Sequence, residues 1–171
     1  MYLNQYGLDD NQVLEGMRLL NYQPFVLSDD IQTGVAYSWL YNDDPRVDAK
    51  LVFNRSDWDN EKWAKISESN NRLRNMYDDF VGEIARHFPG GSLLDVACNN
   101  GYFPVAAELR GMKGCAGLDI GLQYKHSVDF LNSVVGTNVR FIEAPYDTKR
   151  HTADIEEQFD VVVASAIMCH L

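Results

Sequence analysis

The chain has 171 residues, 46% of them hydrophobic, enough to bury one sizeable core with an extension beside it. Its 25 acidic and 15 basic residues give a formal charge of -10, shared by both halves, which argues against tight binding to nucleic acid, where counterion release rewards a basic face. No run approaches the roughly 18 to 20 apolar residues that span a bilayer, and the start MYLNQYGLDDNQ lacks both parts of a signal peptide, so a cytoplasmic protein without a membrane partner is expected.

Nucleic-acid contact is left to a local patch such as Arg72, Arg74 and Arg86. Cys98, Cys115 and Cys169 are widely spaced, follow no CxxC or Cys/His pattern, and leave one over if two were to pair. Reduced thiols and no metal site are expected.

In chain order, residues 1–58 read as an N-terminal extension. A short helix is expected over Asn11–Leu20, followed by two apolar segments, QPFVL and IQTGVAYSW. The turn-prone Ser28-Asp29-Asp30 between them makes a hairpin. A second domain follows over 59–171, opening with a long helix over 59–88. Trp63, Ile66, Leu73, Met76, Phe80, Ile84 and Phe88 recur at mostly three- and four-residue intervals and predict one apolar stripe on it. Asp59 or Asn60 caps its start, and Pro89-Gly90-Gly91 ends it.

From Ser92 short apolar runs alternate with helical stretches, the mark of βα units in a parallel sheet. Strands are expected over Ser92–Val96, Cys115–Asp119, Val139–Glu143 and Phe159–Ala164. Helices are expected over Pro104–Arg110 and Leu122–Val135, the second closed by Gly136 in a left-handed turn. His87, His126 and His151 read as surface residues.

The stretch SLLDVACNNGYFPVAAELRG carries the most information. A hydrophobic strand runs into Asp95, then into a loop of small and polar residues, then into a helix with Pro104 in its first turn. Such a loop at the carboxyl end of a central parallel strand lets the backbone approach a ligand, with Gly101 bending at positive φ. The glycines of a G-x-G-x-x-G pyrophosphate cradle are missing, which sets aside a nicotinamide cofactor.

The segment resembles the first motif of class I S-adenosylmethionine (SAM)-dependent methyltransferases, an acidic residue followed by a Gly-Cys-Gly-x-Gly-like loop. Asp95, Cys98 and Gly101 match it, while Ala97 and Asn99 stand where glycines are more usual, which implies a slightly wider, stiffer loop. Further along, GCAGLDIG ends a strand at Asp119, followed by Ile120, where the resemblance implies a carboxylate on the ribose hydroxyls. NVRFIEAPYDT places either Tyr146 on the purine or Asp147 on its amino group. EQFDVVVASAIMCHL is similar to the family's fourth-strand signature, with Ser165 and Ala166 beside the methionine end of SAM and His170 near the substrate mouth.

These four elements, in the family's order, cover roughly residues 90–171. They imply an α/β fold, a Rossmann-like parallel sheet with flanking helices comprising the first four strands of a class I methyltransferase, preceded by the helix and hairpin extension. They also imply SAM as cofactor and a methyl transfer in which Asp95 faces the cationic end of SAM. Tyr102 either borders the cofactor or packs at the helix start. His170 is the candidate base if the acceptor is a hydroxyl. A small-molecule or sugar-linked acceptor is preferred, and a non-catalytic SAM-binding or scaffold module is the alternative.

More faintly, LSDDIQTGVAYSW and WAKISESNNRLRNMY are similar to relatives of the transfer-RNA wobble-uridine carboxymethyltransferases, which would imply a carboxylated SAM acting on RNA. No residue can be assigned to the extra carboxylate. The VVVA strand is expected to present an apolar edge, to be covered by a further segment, by the hairpin, by a second copy or by a partner.

Overall fold

The computed structural model describes residues 1–34, 52–143 and 155–165. Two compact units divide the chain, Met1–Asp78 and Asp79–Leu171.

In the first unit, helix α1 spans Asp10–Leu19. It begins one residue ahead of the expected Asn11 because Asp9 and Gln12 form a reciprocal cap: Gln12 N–H donates to Asp9 Oδ1 at 2.9 Å, and Asp9 N–H donates to Gln12 Oε1 at 3.0 Å. Strands β1 (Val26–Ser28) and β2 (Ile31–Thr33) form the expected antiparallel hairpin through Asp29 and Asp30. Only Ile31–Gly34 of the second apolar segment falls within the described residues; its GVAYSW end beyond Gly34 lies outside them. A third strand, β3 (Val52–Asn54), pairs antiparallel with β2 and was not anticipated, since three residues carry too little alternation to register. Phe53, Trp58 and Ile66 make a buried cluster with Trp63 packed against it.

Helix α2 spans Asn60–His87, capped by Asp59, whose Oδ1 accepts from Lys62 N–H at 2.9 Å. Its buried positions correct the expected stripe. Ile66, Leu73 and Val81 are buried, but so are Asn70 and Arg74, whereas Met76, Phe80 and Phe88 are exposed. Periodicity of apolar residues cannot see polar side chains taking inward positions of the same helix turn. Arg74 thereby leaves the surface group suggested for Arg72 and Arg86, and Arg86 pairs with Glu83 at 2.7 Å.

The second unit is a parallel sheet of strands β4 (Leu93–Val96), β5 (Ala116–Asp119), β6 (Arg140–Glu143) and β7 (Val161–Val163). Helix α3 (Tyr102–Leu109) links β4 to β5, and α4 (Leu122–Val135) links β5 to β6. The strand order is β6-β5-β4-β7, so the chain builds outward from β4 and then reverses to its other side. That is the strand order of a Rossmann-like half-sheet with its switch point beside β4. All four strands start and end within about two residues of expectation, and α4 matches it at both ends with Gly136 at φ 75 as its stop. Helix α3 begins at Tyr102 rather than Pro104, because Gly101 at φ 85 turns the chain straight into the helix.

Leu94, Ala116 and Leu118 form one buried layer on the sheet, with Val96, Ile142, Ile155 and Phe159 packed on it. Among the described residues β7 pairs on one side only, with β4, and Val162 is 60% exposed. No helix among them is long and apolar enough to cross a membrane.

At the foot of β7, Asp160 Oδ2 accepts from Ser92 N–H at 2.7 Å and from the Ser92 hydroxyl at 3.0 Å, while Asp160 N–H donates to Ser92 Oγ at 3.0 Å. The Ser92 N–H and hydroxyl bonds hold this exposed carboxyl below the usual carboxylate range. Its folded pKa is depressed, so the clamp is complete above the ordinary aspartate pKa and is lost as pH falls through the depressed value. We expect Asp160→Ala to accelerate hydrogen exchange at the Val161 amide, which donates to Ser92 O at 3.0 Å. Unchanged protection would show that the clamp does not hold the strand.

Candidate functional site

The site lies at the switch point, where ligands of open α/β sheets bind beyond the carboxyl ends of the strands. β4 is hydrogen-bonded on both sides, Asp95 standing opposite Gly117 on β5 and Val163 on β7. The loop leaving β4 therefore crosses the tip of β5. Ala97 N–H and Cys98 N–H both donate to Leu118 O, at 2.9 and 3.1 Å, and Asn99 N–H donates to Asp119 Oδ2 at 2.8 Å. Three successive amides are thus anchored on β5.

Ala97, Asn99 and Gly101 all take positive φ, at 64°, 52° and 85°. The left-handed turns that glycines would make easily are adopted at positions 97 and 99 by residues that make them at a cost. That cost is about 1–2 kcal/mol for alanine and less for asparagine, whose short polar side chain tolerates the region. Gly101 has a second reason to be glycine: a Cβ there would stand 2.6 Å from Val128 Cγ2.

Gly117 was missed as a site residue. A Cβ on it would stand 2.6 Å from Cys98 Sγ, so its bare backbone is what lets the loop settle onto β5. The available signal was a glycine inside the strand-forming CAGLD, a mark of close approach. Asn100 was missed as well; its Nδ2 donates to Ser127 Oγ at 3.1 Å and ties the loop to α4.

Two carboxylates sit at neighbouring strand tips. Asp95 is 2% exposed, and among the described residues its Oδ2 accepts no hydrogen bond. Burial, with Asp119 adding like charge, pushes its carboxyl well above the usual range. Asp119 is also buried, but both its oxygens are engaged, Oδ1 accepting from Ile120 N–H at 2.7 Å and Oδ2 from Asn99 N–H. Asn99 Oδ1 is a second buried acceptor without a hydrogen bond. Burial, and then the charges of Asp95 and Asp119, raise the Cys98 thiol far above neutrality, so it is no nucleophile. Burial brings Cys115 up to about 11, and both cysteines are free thiols.

The loop and the two strand tips bring together Asp95, Ala97, Cys98, Asn99, Gly101 and Asp119. Ile120 is exposed beyond the β5 tip, and Ser165 is exposed after β7. Tyr102 is fully buried, its ring edge-on to Phe103 at 6.2 Å, so it packs at the helix start. Tyr146, Asp147, His151, Ala166, Cys169 and His170 lie outside the described residues, and His87 and His126 are exposed. Among the described residues no group of His, Cys, Asp and Glu is arranged to hold a metal ion.

Gly101→Ala should destabilise the fold by about 2–3 kcal/mol, adding left-handed strain to the clash with Val128. Ala97→Gly should be neutral or stabilising by up to about 1 kcal/mol, because the left-handed strain it removes offsets the unfolded-chain entropy it adds. Chemical denaturation of both variants checks the pair, and a tolerated alanine at 101 would contradict the loop geometry.

No protein-family model and no curated protein matches the sequence. Among solved structures, the chain is similar to a ribosomal protein L11 methylase from Lactobacillus delbrueckii subsp. bulgaricus, with 21% identity and a TM-score of 0.43, covering 53% of this chain and 44% of that one. It is also similar to a Pyrococcus abyssi tRNA (uracil-54, C5)-methyltransferase in complex with S-adenosyl-L-homocysteine, with 17% identity and a TM-score of 0.39, covering 51% of this chain and 21% of that one. A Trypanosoma brucei PRMT1 enzyme-prozyme heterotetrameric complex with AdoHcy gives 17% identity and a TM-score of 0.44, covering 60% of this chain and 31% of that one. The chain spans less than half the length of each of these proteins.

Proposed function

We propose that the second unit binds S-adenosylmethionine at the carboxyl ends of β4 and β5 and serves methyl transfer to a small-molecule or sugar-linked acceptor. The observation that carries this reading is the buried Asp95 carboxylate, whose Oδ2 has no hydrogen bond, beside a second carboxylate at the next strand tip. A buried anion without partners is costly, and a cation meeting it removes the cost.

The donor set fits SAM. Its ammonium and sulfonium are the charges Asp95 lacks, and its vicinal ribose hydroxyls suit Asp119. Each Asp119 oxygen accepts one backbone N–H and keeps further lone-pair capacity. Asn99 Oδ1 is an additional buried acceptor for the same ligand. A pyrophosphate would instead face two carboxylates, which disfavours a dinucleotide.

SAM supplies a methyl carbon activated by positive sulfur. The work of this chain's residues is to bind, to orient and to keep water from the reacting atoms. Asp95 holds the cationic end, Asp119 orients the ribose, and the anchored amides of Ala97, Cys98 and Asn99 keep the loop in position for both. Tyr146 or Asp147 for the adenine, Ser165 for the methionine end and His170 as base toward a hydroxyl acceptor complete the proposal from the sequence resemblance. The charge of -10 supports an acceptor that is not a polyanion. The reduced, buried Cys98 and Cys115 suit the cytoplasm.

Thermal unfolding with SAM and with its demethylated product, followed by turnover against small-molecule pools, tests the two halves of the reading. Stabilisation without turnover would favour a non-catalytic SAM-binding module. Asp119→Ala should weaken SAM binding by about 1–3 kcal/mol in calorimetry; unchanged affinity removes the ribose assignment.

Asp95→Asn separates stability from binding. The folded pKa of Asp95 is raised, so its ionisation costs stability as pH rises from the ordinary aspartate value through the folded one. At neutral pH the asparagine variant should melt higher than the wild type without ligand, yet bind SAM at least about tenfold more weakly. Wild-type affinity should climb with pH until Asp95 is ionised, while the variant's stays flat. A variant that binds SAM normally would end the proposed role of this carboxylate.

A further inference from the structure

The first unit buries a cation that nothing in the proposed methyl transfer uses. Arg74 is 2% exposed and Asn70, one helical turn earlier on the same face of α2, is 1% exposed. Arg74 Nη1 donates to Gln32 Oε1 at a long 3.4 Å, and Nη2 donates to Asn71 Oδ1. Its Cζ lies 5.1 Å from the centre of the Tyr2 ring, whose hydroxyl donates to the same Asn71 Oδ1 at 3.1 Å.

Every one of these partners is neutral. Arg74 forms no ion pair with a carboxylate among the described residues. Among the described residues its Nε–H finds no acceptor, and neither does Asn70 Nδ2, although both atoms are buried. Asn70 is wedged where a Cβ on Gly34 would stand 2.2 Å from its Oδ1, a place no side chain at 34 could share. Gln32 donates an Nε2 N–H to Ser67 Oγ at 2.8 Å.

A guanidinium out of water needs negative charge, and its free Nε edge presents the planar donor geometry that oxyanions accept. Two buried donors with no acceptor among the described residues, on one face of one helix and beside a charge that no described carboxylate neutralises, describe an oxyanion site short of its oxygen atoms. We propose that Arg74 and Asn70 bind the carboxylate or phosphate group of a small free anion, which thereby stabilises the first unit. This site is independent of the SAM reading, since all of its residues belong to Met1–Asp78.

The test is thermal unfolding of the full chain in sodium chloride, sodium acetate and inorganic phosphate at matched ionic strength. Acetate or phosphate should raise the wild-type melting temperature by about 3 °C or more beyond chloride, the better of the two identifying the anion class. Arg74→Met should lose that response and, freed of an unneutralised charge, should melt no lower than the wild type in chloride. Equal wild-type behaviour in all three salts overturns the proposal, a carboxylate of the chain itself then being the counter-ion. So does a response that Arg74→Met retains. If Arg74→Met fails to fold, Asn70→Ser takes its place: a weakened anion response supports the site, and an unchanged one overturns it.

Discussion

The second unit is organised by the landing of one loop on one strand tip. β4 has hydrogen-bonded neighbours on both sides, and the chain leaving it satisfies its first amides over the adjacent tip of β5. It uses the carbonyl of Leu118 twice and the carboxylate of Asp119 once. That landing requires an absent side chain at Gly117 to admit Cys98, and another at Gly101 to admit Val128. It also requires the chain to accept left-handed turns at Ala97 and Asn99. Sheet topology, loop strain and the placing of both carboxylates are thus consequences of one set of backbone hydrogen bonds.

The same landing creates an electrostatic conflict. Asp119 is satisfied by the loop it anchors, whereas Asp95, deeper on β4, is left with a buried oxygen and a like charge beside it. A fold selected for stability alone would place an apolar residue or an asparagine there. Strain at 97 and 99 and a buried oxygen of Asp95 without a partner among the described residues, gathered within five residues at a topological switch point, are the costs that the proposed ligand site would account for.

The first unit shows a related economy with the opposite charge. Phe53 of β3, Trp58, and Ile66 in the first turns of α2 form an ordinary apolar cluster with Trp63 packed against it. One turn further along α2 the inward positions pass to Asn70 and Arg74, the arginine held by amide side chains and an aromatic ring. Buried polarity of this kind costs stability unless every donor is met, so its presence directs attention to what meets the remaining ones.

Much of the architecture was written in the local pattern. The alternation of short apolar runs with helical stretches specified four parallel strands and two crossovers. Gly136 marked the end of α4, Asp59 and Pro89-Gly90-Gly91 marked the ends of α2, and Ser28-Asp29-Asp30 marked the hairpin. Asp95 and Asp119 were legible as strand-tip carboxylates because a strand running into an acidic residue and a turn is a local feature. What the tertiary structure decided was which of these groups are satisfied. That both Asp119 oxygens are engaged while Asp95 Oδ2 has no partner among the described residues, that Gly117 must be bare, that Arg74 is inside and Met76 and Phe80 outside, all depend on neighbours distant in sequence. Periodicity reports which face of an element is apolar; only packing across elements reports which polar group on that face has lost its water and what, if anything, has replaced it.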